Sequence, residues 1–177
     1  MSSTKVVTGK VRFSYLHVFE PSSIDEGSPK KYSASLIIPK SDKATIKKVE
    51  DAVAAAIEAG KNKLALTGGK LPHNFKYPMR DGDEERPDDE NYAGCMFVNA
   101  SSGNKPGMVD EDLNPILERE SLYSGCFGRA SVNFYAFNTS GNKGIACGLN
   151  NLQKLEDGPN LGGGGASAES DFGEDLM

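Results

Sequence analysis

Cys126-Phe127-Gly128-Arg129-Ala130-Ser131-Val132-Asn133-Phe134-Tyr135-Ala136-Phe137 is the stretch that decides the fold of this 177-residue chain. Its side chains alternate with the period of two that a strand imposes. One set, Cys126, Gly128, Ala130, Val132, Phe134 and Ala136, is small or apolar and suits the interior of a barrel. The other set is Phe127, Arg129, Ser131, Asn133, Tyr135 and Phe137. Three rings, a guanidinium and two hydrogen-bonding side chains suit a groove in which unpaired bases stack and a cation holds phosphate. Base stacking is worth roughly 1–3 kcal/mol per base and is blind to sequence, because every base has a π-face. The alternative is that long loops cover this face and it is further core.

The rest of the chain fits an all-β barrel with one amphipathic helix. Residues 5–19 alternate as one long strand, with Val11, Phe13, Tyr15 and His17 on one side and Lys10, Arg12 and Ser14 on the other. Lys31 to Ile38 alternates likewise, and strand patterns return at Tyr92–Ser101, Gly125–Asn138 and Gly144–Leu152. Ser41 or Asp42 can cap a helix whose stripe is Ile46, Val49, Val53 and Ile57, with Gly60 as its stop. Residues 61–91, broken by Gly68-Gly69, Pro72, Pro78, Gly82 and Pro87, read as a long loop of the kind that carries function. Pro106 to Glu120 reads as a second loop with a short extended piece or turn.

The net charge of −5 hides an uneven distribution. All 20 Lys and Arg precede residue 155, together with 19 of the 25 acids, so residues 1–155 carry +1. Much of the acid in that body sits in Asp81-Gly82-Asp83-Glu84-Glu85-Arg86-Pro87-Asp88-Asp89-Glu90, and the remainder is basic. The division is residues 1–156 as the binding domain, 157–168 as a flexible Gly-rich linker and 169–177 as an acidic tail. In the tail, Asp171, Phe172, Glu174, Asp175 and Leu176 combine charge with two large apolar groups. Such a tail can dock on partner proteins or compete for a basic groove, or simply solubilise.

His73-Asn74-Phe75-Lys76-Tyr77-Pro78-Met79-Arg80 interleaves rings and cations. Phe75, Lys76, Tyr77 and Arg80 either close over a bound strand or pin the loop to the barrel. With Tyr15, Phe127, Tyr135 and Phe137 for stacking, the phosphate contacts fall to Arg12, Lys31 and Arg129, with Lys10 and Lys30 as further surface cations. The 81–90 acids raise a metal-dependent nuclease or resolvase as the rival reading. They fail the calcium-loop pattern, since Arg86 stands where glycine is needed and Tyr92 where glutamate is. They also crowd one loop instead of converging from several elements, so a solvated or loop-capping cluster is expected and no metal site. A protein-binding adaptor barrel is the third reading.

No nucleophile elbow, phosphate-binding loop or Cys-x-x-Cys occurs, and there are two histidines, so neither catalysis nor a cofactor is expected. Cys95, Cys126 and Cys147 read as reduced core thiols. The N-terminus lacks a signal-peptide pattern and no run reaches membrane-span length, so the chain is expected in the cytoplasm.

Pro78-Met79-Arg80-Asp81-Gly82-Asp83, Tyr92-Ala93-Gly94 with Asn99-Ala100-Ser101, and Tyr123-Ser124-Gly125-Cys126 carry a resemblance. So do Gly144-Ile145 and Leu149 with Gln153-Lys154. On these the chain resembles a family of bacteriophage and prophage single-stranded DNA-binding proteins, first catalogued as a domain of unknown function. The likeness runs through most of residues 5–160. It implies a five-stranded oligonucleotide-binding (OB) barrel and protection of single strands in phage replication and recombination, inside an infected or lysogenic host. Two features depart from the pattern: the helix follows the second strand instead of the third, and Phe172 lies five residues short of Met177.

Overall fold

The computed structural model describes residues 4–22, 30–66, 68, 70–139, 142–159 and 161. The acidic tail, with Asp171, Phe172, Glu174, Asp175 and Leu176, lies outside these residues.

Among the described residues eight strands and three helices follow one another: β1 (Lys5–Val7), β2 (Val11–Ser22), β3 (Lys31–Pro39), α1 (Lys43–Ala59), α2 (Lys61–Leu64), β4 (Met79–Asp81), α3 (Gly82–Glu85), β5 (Cys95–Ser102), β6 (Gly107–Val109), β7 (Phe127–Thr139) and β8 (Asn142–Glu156). Short 3-10 turns cover Glu90–Tyr92 and Arg119–Ser121. Five strands close a ring. β2 pairs with β3, β3 with β5, β8 with β7 and β7 with β2, all antiparallel, while β5 and β8 meet in parallel. The five-stranded OB-type barrel expected from the resemblance is therefore present, and the helix does sit between its second and third strands.

The interior side of β7 is as read from its alternation. Gly128, Ala130, Val132, Phe134 and Ala136 are buried, as is Cys126, and they pack with Phe13, Leu36, Ile38, Val98, Ile145 and Leu152 in one core. Gly128 is obligatory, since a Cβ there would lie 2.0 Å from the Gln153 carbonyl oxygen.

Two expectations about the first strand are corrected. It is interrupted at Thr8–Lys10, where the chain leaves β7 as β1 and returns as β2; Thr8 bonds back to Ala130 through both N–H and hydroxyl. Further on, β2 carries an irregularity between Ser14 and His17. Val11 and Phe13 point inward before it, and Leu16 and Val18 join the core after it, so the alternation changes phase. Tyr15 occupies the irregularity with φ +46.

Asp42 is the cap of α1, accepting from the Thr45 N–H at 3.2 Å. Val49, Ala52, Val53 and Ala56 are its buried face, with Ile46 and Ile57 at the margins. Gly60 ends the helix for a reason other than left-handed geometry. Its φ is −99, and a Cβ would lie 2.3 Å from that of Ala136. Among the described residues no helix is long and apolar enough to cross a membrane.

Residues 61–91 are more ordered than a loop reading allows. α2, β4, α3 and a 3-10 turn occupy them, and β4 pairs with β5 through Met79–Val98, Arg80–Phe97 and Asp81–Met96. Residues 157–159 and 161, expected to open the flexible linker, are held on the barrel. Arg12 donates to the Pro159 carbonyl, Tyr123 to the Gly158 carbonyl, and Leu161 N–H to the Ser124 carbonyl.

Candidate nucleic-acid interface

The outer face of the barrel is built from alternate residues of its strands. On β3 these are Lys31, Ser33, Ser35 and Ile37, the last three opposite Ser101, Asn99 and Phe97 of β5; Ser35, Ile37 and Phe97 are buried against Tyr92. On β7 they are Phe127, Arg129, Ser131, Asn133, Tyr135 and Phe137. The small residues Gly148, Ala146 and Gly144 of β8 sit opposite the last three.

A groove of about 520 Å³ opens on this face. Lys76, Tyr77, Pro78 and Arg80 contribute to its lining from the 72–80 segment and β4, with Asn99 and Ser101 from β5, Phe137 from β7, and Asn142 and Ile145–Cys147 from β8. The segment crosses β8 by a two-bond bridge: Lys76 N–H donates to the Lys143 carbonyl (3.0 Å) and Ile145 N–H to the Lys76 carbonyl (2.9 Å). Gly144 makes the crossing possible, for a Cβ would meet the Lys76 Cβ and carbonyl oxygen at 2.5 Å. Phe75 is the anchor, 7% exposed within the core, and Tyr77 meets it edge-on at 5.2 Å while staying 49% exposed.

Among the described residues, the exposed aromatics are Tyr15, Tyr77 and Tyr135, each of them a stacking candidate. Each presents a flat, amphipathic ring to solvent, the property that stacking a base requires. Phe137 is half-buried and lines the groove. Lys76, Arg80 and Lys31 are exposed; Arg80 lies 3.5 Å from Glu85.

Other candidates lie elsewhere or are occupied. Phe75 is buried and cannot stack a base; its part is to pin the segment that carries Tyr77. Phe127 sits at the far end of β7, ten residues or about 33 Å from Phe137 along a strand. Lys10 and Arg12 stand over its ring at 5.4 Å, and a Cβ at Gly158 would lie 2.7 Å from it. Arg12 donates to the carbonyls of Gly125 and Pro159 and to Asn91, so its guanidinium is already engaged in tying down three segments. Arg129 is exposed, with its Nε held by the Thr8 carbonyl. The single local groove expected along β7 is therefore two separate ends, and the Tyr135–Phe137 end is the open one. Between them Asn133 is tied to Thr4 at 3.1 Å beside β1.

The 81–90 acids cap and brace. Asp81 accepts from Asp83 N–H, Asp83 from Gly94 N–H and Asp89 from Asn91 N–H. Lys40 bridges Asp81 and Asp83 at 2.9 and 2.8 Å. The hydrogen bonds Lys40 donates to those two acids, Asp83 first, raise its pKa well above the ordinary lysine range. The same lysine lowers both carboxyls. Among the described residues no group of three or more His, Cys, Asp or Glu is placed to hold a metal. Cys126 and Cys147 are buried, whereas Cys95 is only half-buried, against the outer cluster of Ile37, Tyr92 and Phe97; none of the three is in a disulfide. Burial raises the pKa of each thiol.

Arg86 is the residue that sequence reading passed over. Its guanidinium carbon stands 4.9 Å from the Tyr92 ring centroid, 5.1 Å from Phe97 and 5.4 Å from Tyr15. The available signal was its position as the lone cation among seven acids. A surface ion pair is the usual meaning of that pattern, and it hid the aromatic setting.

A family model described as "Enterobacter phage Enc34, ssDNA-binding protein" matches residues 4–177. "Putative protein p50" of Acyrthosiphon pisum secondary endosymbiont phage 1 is 28% identical over 172 residues, covering 95% of this chain and 92% of that protein. Among solved structures, the C-terminally truncated single-stranded DNA-binding protein from bacteriophage Enc34 superposes with TM-score 0.75 at 22% identity, covering 89% of this chain and 88% of its own. The same phage protein in complex with ssDNA gives 0.74 at 22% identity, with 90% of both chains covered. At that identity the structures speak for the fold, and the family model speaks for descent. The chain belongs to the family of the Enterobacter phage Enc34 ssDNA-binding protein.

Proposed function

We propose that this chain binds single-stranded DNA without sequence preference, in the groove between the 75–80 segment and the outer face of β5, β7 and β8. The observation that carries the reading is a groove lined by exposed Tyr77, Lys76 and Arg80 with Phe137, and flanked by exposed Tyr135, the β7 partner of the groove residue Ala146. Membership of a family described by ssDNA binding supports it, as does a similar fold whose solved form holds ssDNA. Rings take the bases, Lys76, Arg80 and Lys31 take phosphates, and the small residues of β8 leave the ring faces clear. Protection of strands in phage replication and recombination, in the host cytoplasm, is the role such binding serves. Residues 169–177 are the element for docking partner proteins or competing for the groove.

The test is a titration of fluorescent oligo-dT against a duplex of equal length at rising salt. Binding falls with a log–log slope near −0.7 per phosphate neutralised. Tyr135→Ala and Phe137→Ala each weaken it by about five- to 100-fold with the melting transition retained. An affinity indifferent to salt and to both substitutions refutes the reading. Strand cleavage with Mg²⁺ or Mn²⁺ in place of simple retention restores the nuclease alternative.

A further inference from the structure

We infer that Tyr15 and Arg86 form a second nucleotide station on the outer face, taking an unpaired base against the tyrosine ring and an anionic phosphate on the guanidinium. The inference rests on the DNA-binding reading above and extends it to a part of the barrel outside the groove.

Three observations point the same way. Tyr15 is 43% exposed and adopts φ +46 at the β2 irregularity. Left-handed backbone is disfavoured for a side chain with a Cβ, and such outliers persist where the surroundings hold them and collect at binding sites. Here the irregularity turns outward a ring that strict alternation would have placed beside Phe13.

Arg86 supplies the second observation. It lies within a run that includes Glu84, Glu85, Asp88 and Asp89, yet among the described residues it forms no ion pair. The guanidinium is instead fixed among three rings, and its buried Nε has no hydrogen-bond partner. An arginine so held loses little further freedom on binding an anion, and no carboxylate pairs with it directly, though Glu85, Asp88, Asp89 and Glu90 line the same hollow. A guanidinium stacked on a ring is also a flat surface on which a base can lie.

The third observation is the ground between the two stations. The groove reaches Asn99 and Ser101 of β5, and from there the barrel order runs through β3 to β2, two strand spacings or about 10 Å. Ser35 is buried against the Tyr92 hydroxyl, so the open outward residues on the way are Ser33, Asn99 and Ser101. None is bulky enough to block a chain laid across them. That span added to the groove suits a site at the lower end of the roughly 4–16 nucleotides such barrels accommodate.

The experiment compares the length dependence of oligo-dT affinity, from about 4 to about 16 nucleotides, for the wild-type protein, Tyr15→Ala, Tyr15→Phe and Arg86→Gln. The wild-type affinity rises with length until both stations are filled. Y15A and R86Q lose about fivefold or more on the longest oligonucleotide and stay within about twofold on the shortest, while Y15F keeps the wild-type profile. R86Q also lowers the salt slope by about 0.7 on the long oligonucleotide only. Unchanged profiles for Y15A and R86Q, or equal losses at every length, overturn the second station while leaving the groove intact. If the wild-type protein binds no length of oligo-dT, the underlying DNA-binding reading falls instead.

Discussion

Replacing Gly144 by Ala isolates the contribution of the crossing segment. The added Cβ would lie 2.5 Å from both the Lys76 Cβ and the Lys76 carbonyl oxygen, and 2.9 Å from the Phe137 ring. The ring can swing, but the backbone contact has to open by about 1 Å before it is ordinary. A shift of that size carries the Lys76–Lys143 and Ile145–Lys76 hydrogen bonds, now 3.0 and 2.9 Å, beyond bonding distance. Two such bonds contribute about 2 kcal/mol together. Burial of Phe75 contributes a similar amount and is retained, because its side chain reaches the core from outside the clash. The segment therefore lifts at Lys76–Tyr77 instead of detaching, at a cost of about 2–3 kcal/mol. Tyr77 and Lys76 leave the groove, and oligo-dT affinity falls by about tenfold or more, corresponding to one lost stack. Amide exchange at residues 76 and 145 speeds up while the centre of β7 stays protected. Wild-type affinity together with unchanged exchange at those two amides refutes the reasoning.

Acid should release the Lys40 clamp. Asp81 and Asp83 ionise at lower pH in the folded chain than in the unfolded one. Their contribution is thus complete above about pH 4 and disappears as pH falls through the depressed folded values. Both groups are exposed, so the effect is small; Lys40→Met should remove this part of the acid sensitivity in a comparison of denaturation curves at pH 3 and pH 6. Thiol labelling under native conditions should modify Cys95 first, with Cys126 and Cys147 reacting after denaturant is added, because those two are buried in the core. Simultaneous labelling of all three would contradict the packing.

The alternation of residues 126–137 was enough to place β7 and its inward face, since a long strand buried on one side leaves a period-two record. The helix was equally legible from its stripe and cap. Other features depended on contacts distant in sequence. Met79–Asp81 is too short and too close to Pro78 to announce a strand, and its partner lies in β5. The change of phase at Tyr15 leaves no trace in residue type. Phe75 and Tyr77 look alike in sequence, and only the crossing over β8 decides that one is anchor and the other is open. Arg12 reads from sequence as a phosphate ligand, and only the fold brings the Gly125 and Pro159 carbonyls to its guanidinium. The resemblance supplied the ring of five strands, which period and spacing alone do not count.

The parallel junction of β5 and β8 rests on a single backbone pairing, Ser101 with Gly148, whereas β7 and β8 pair along nearly their whole length. A cylinder sewn firmly down one side and tacked at one point on the other has a preferred line of parting. That line runs beneath the groove, past Asn99, Ser101 and Ala146. Gaping there by an ångström or two would widen the cradle for a purine without disturbing the helix or the β7–β8 hairpin. In the proposed binding mode, tolerance of every base would then be a mechanical property of the barrel as well as a chemical property of its rings.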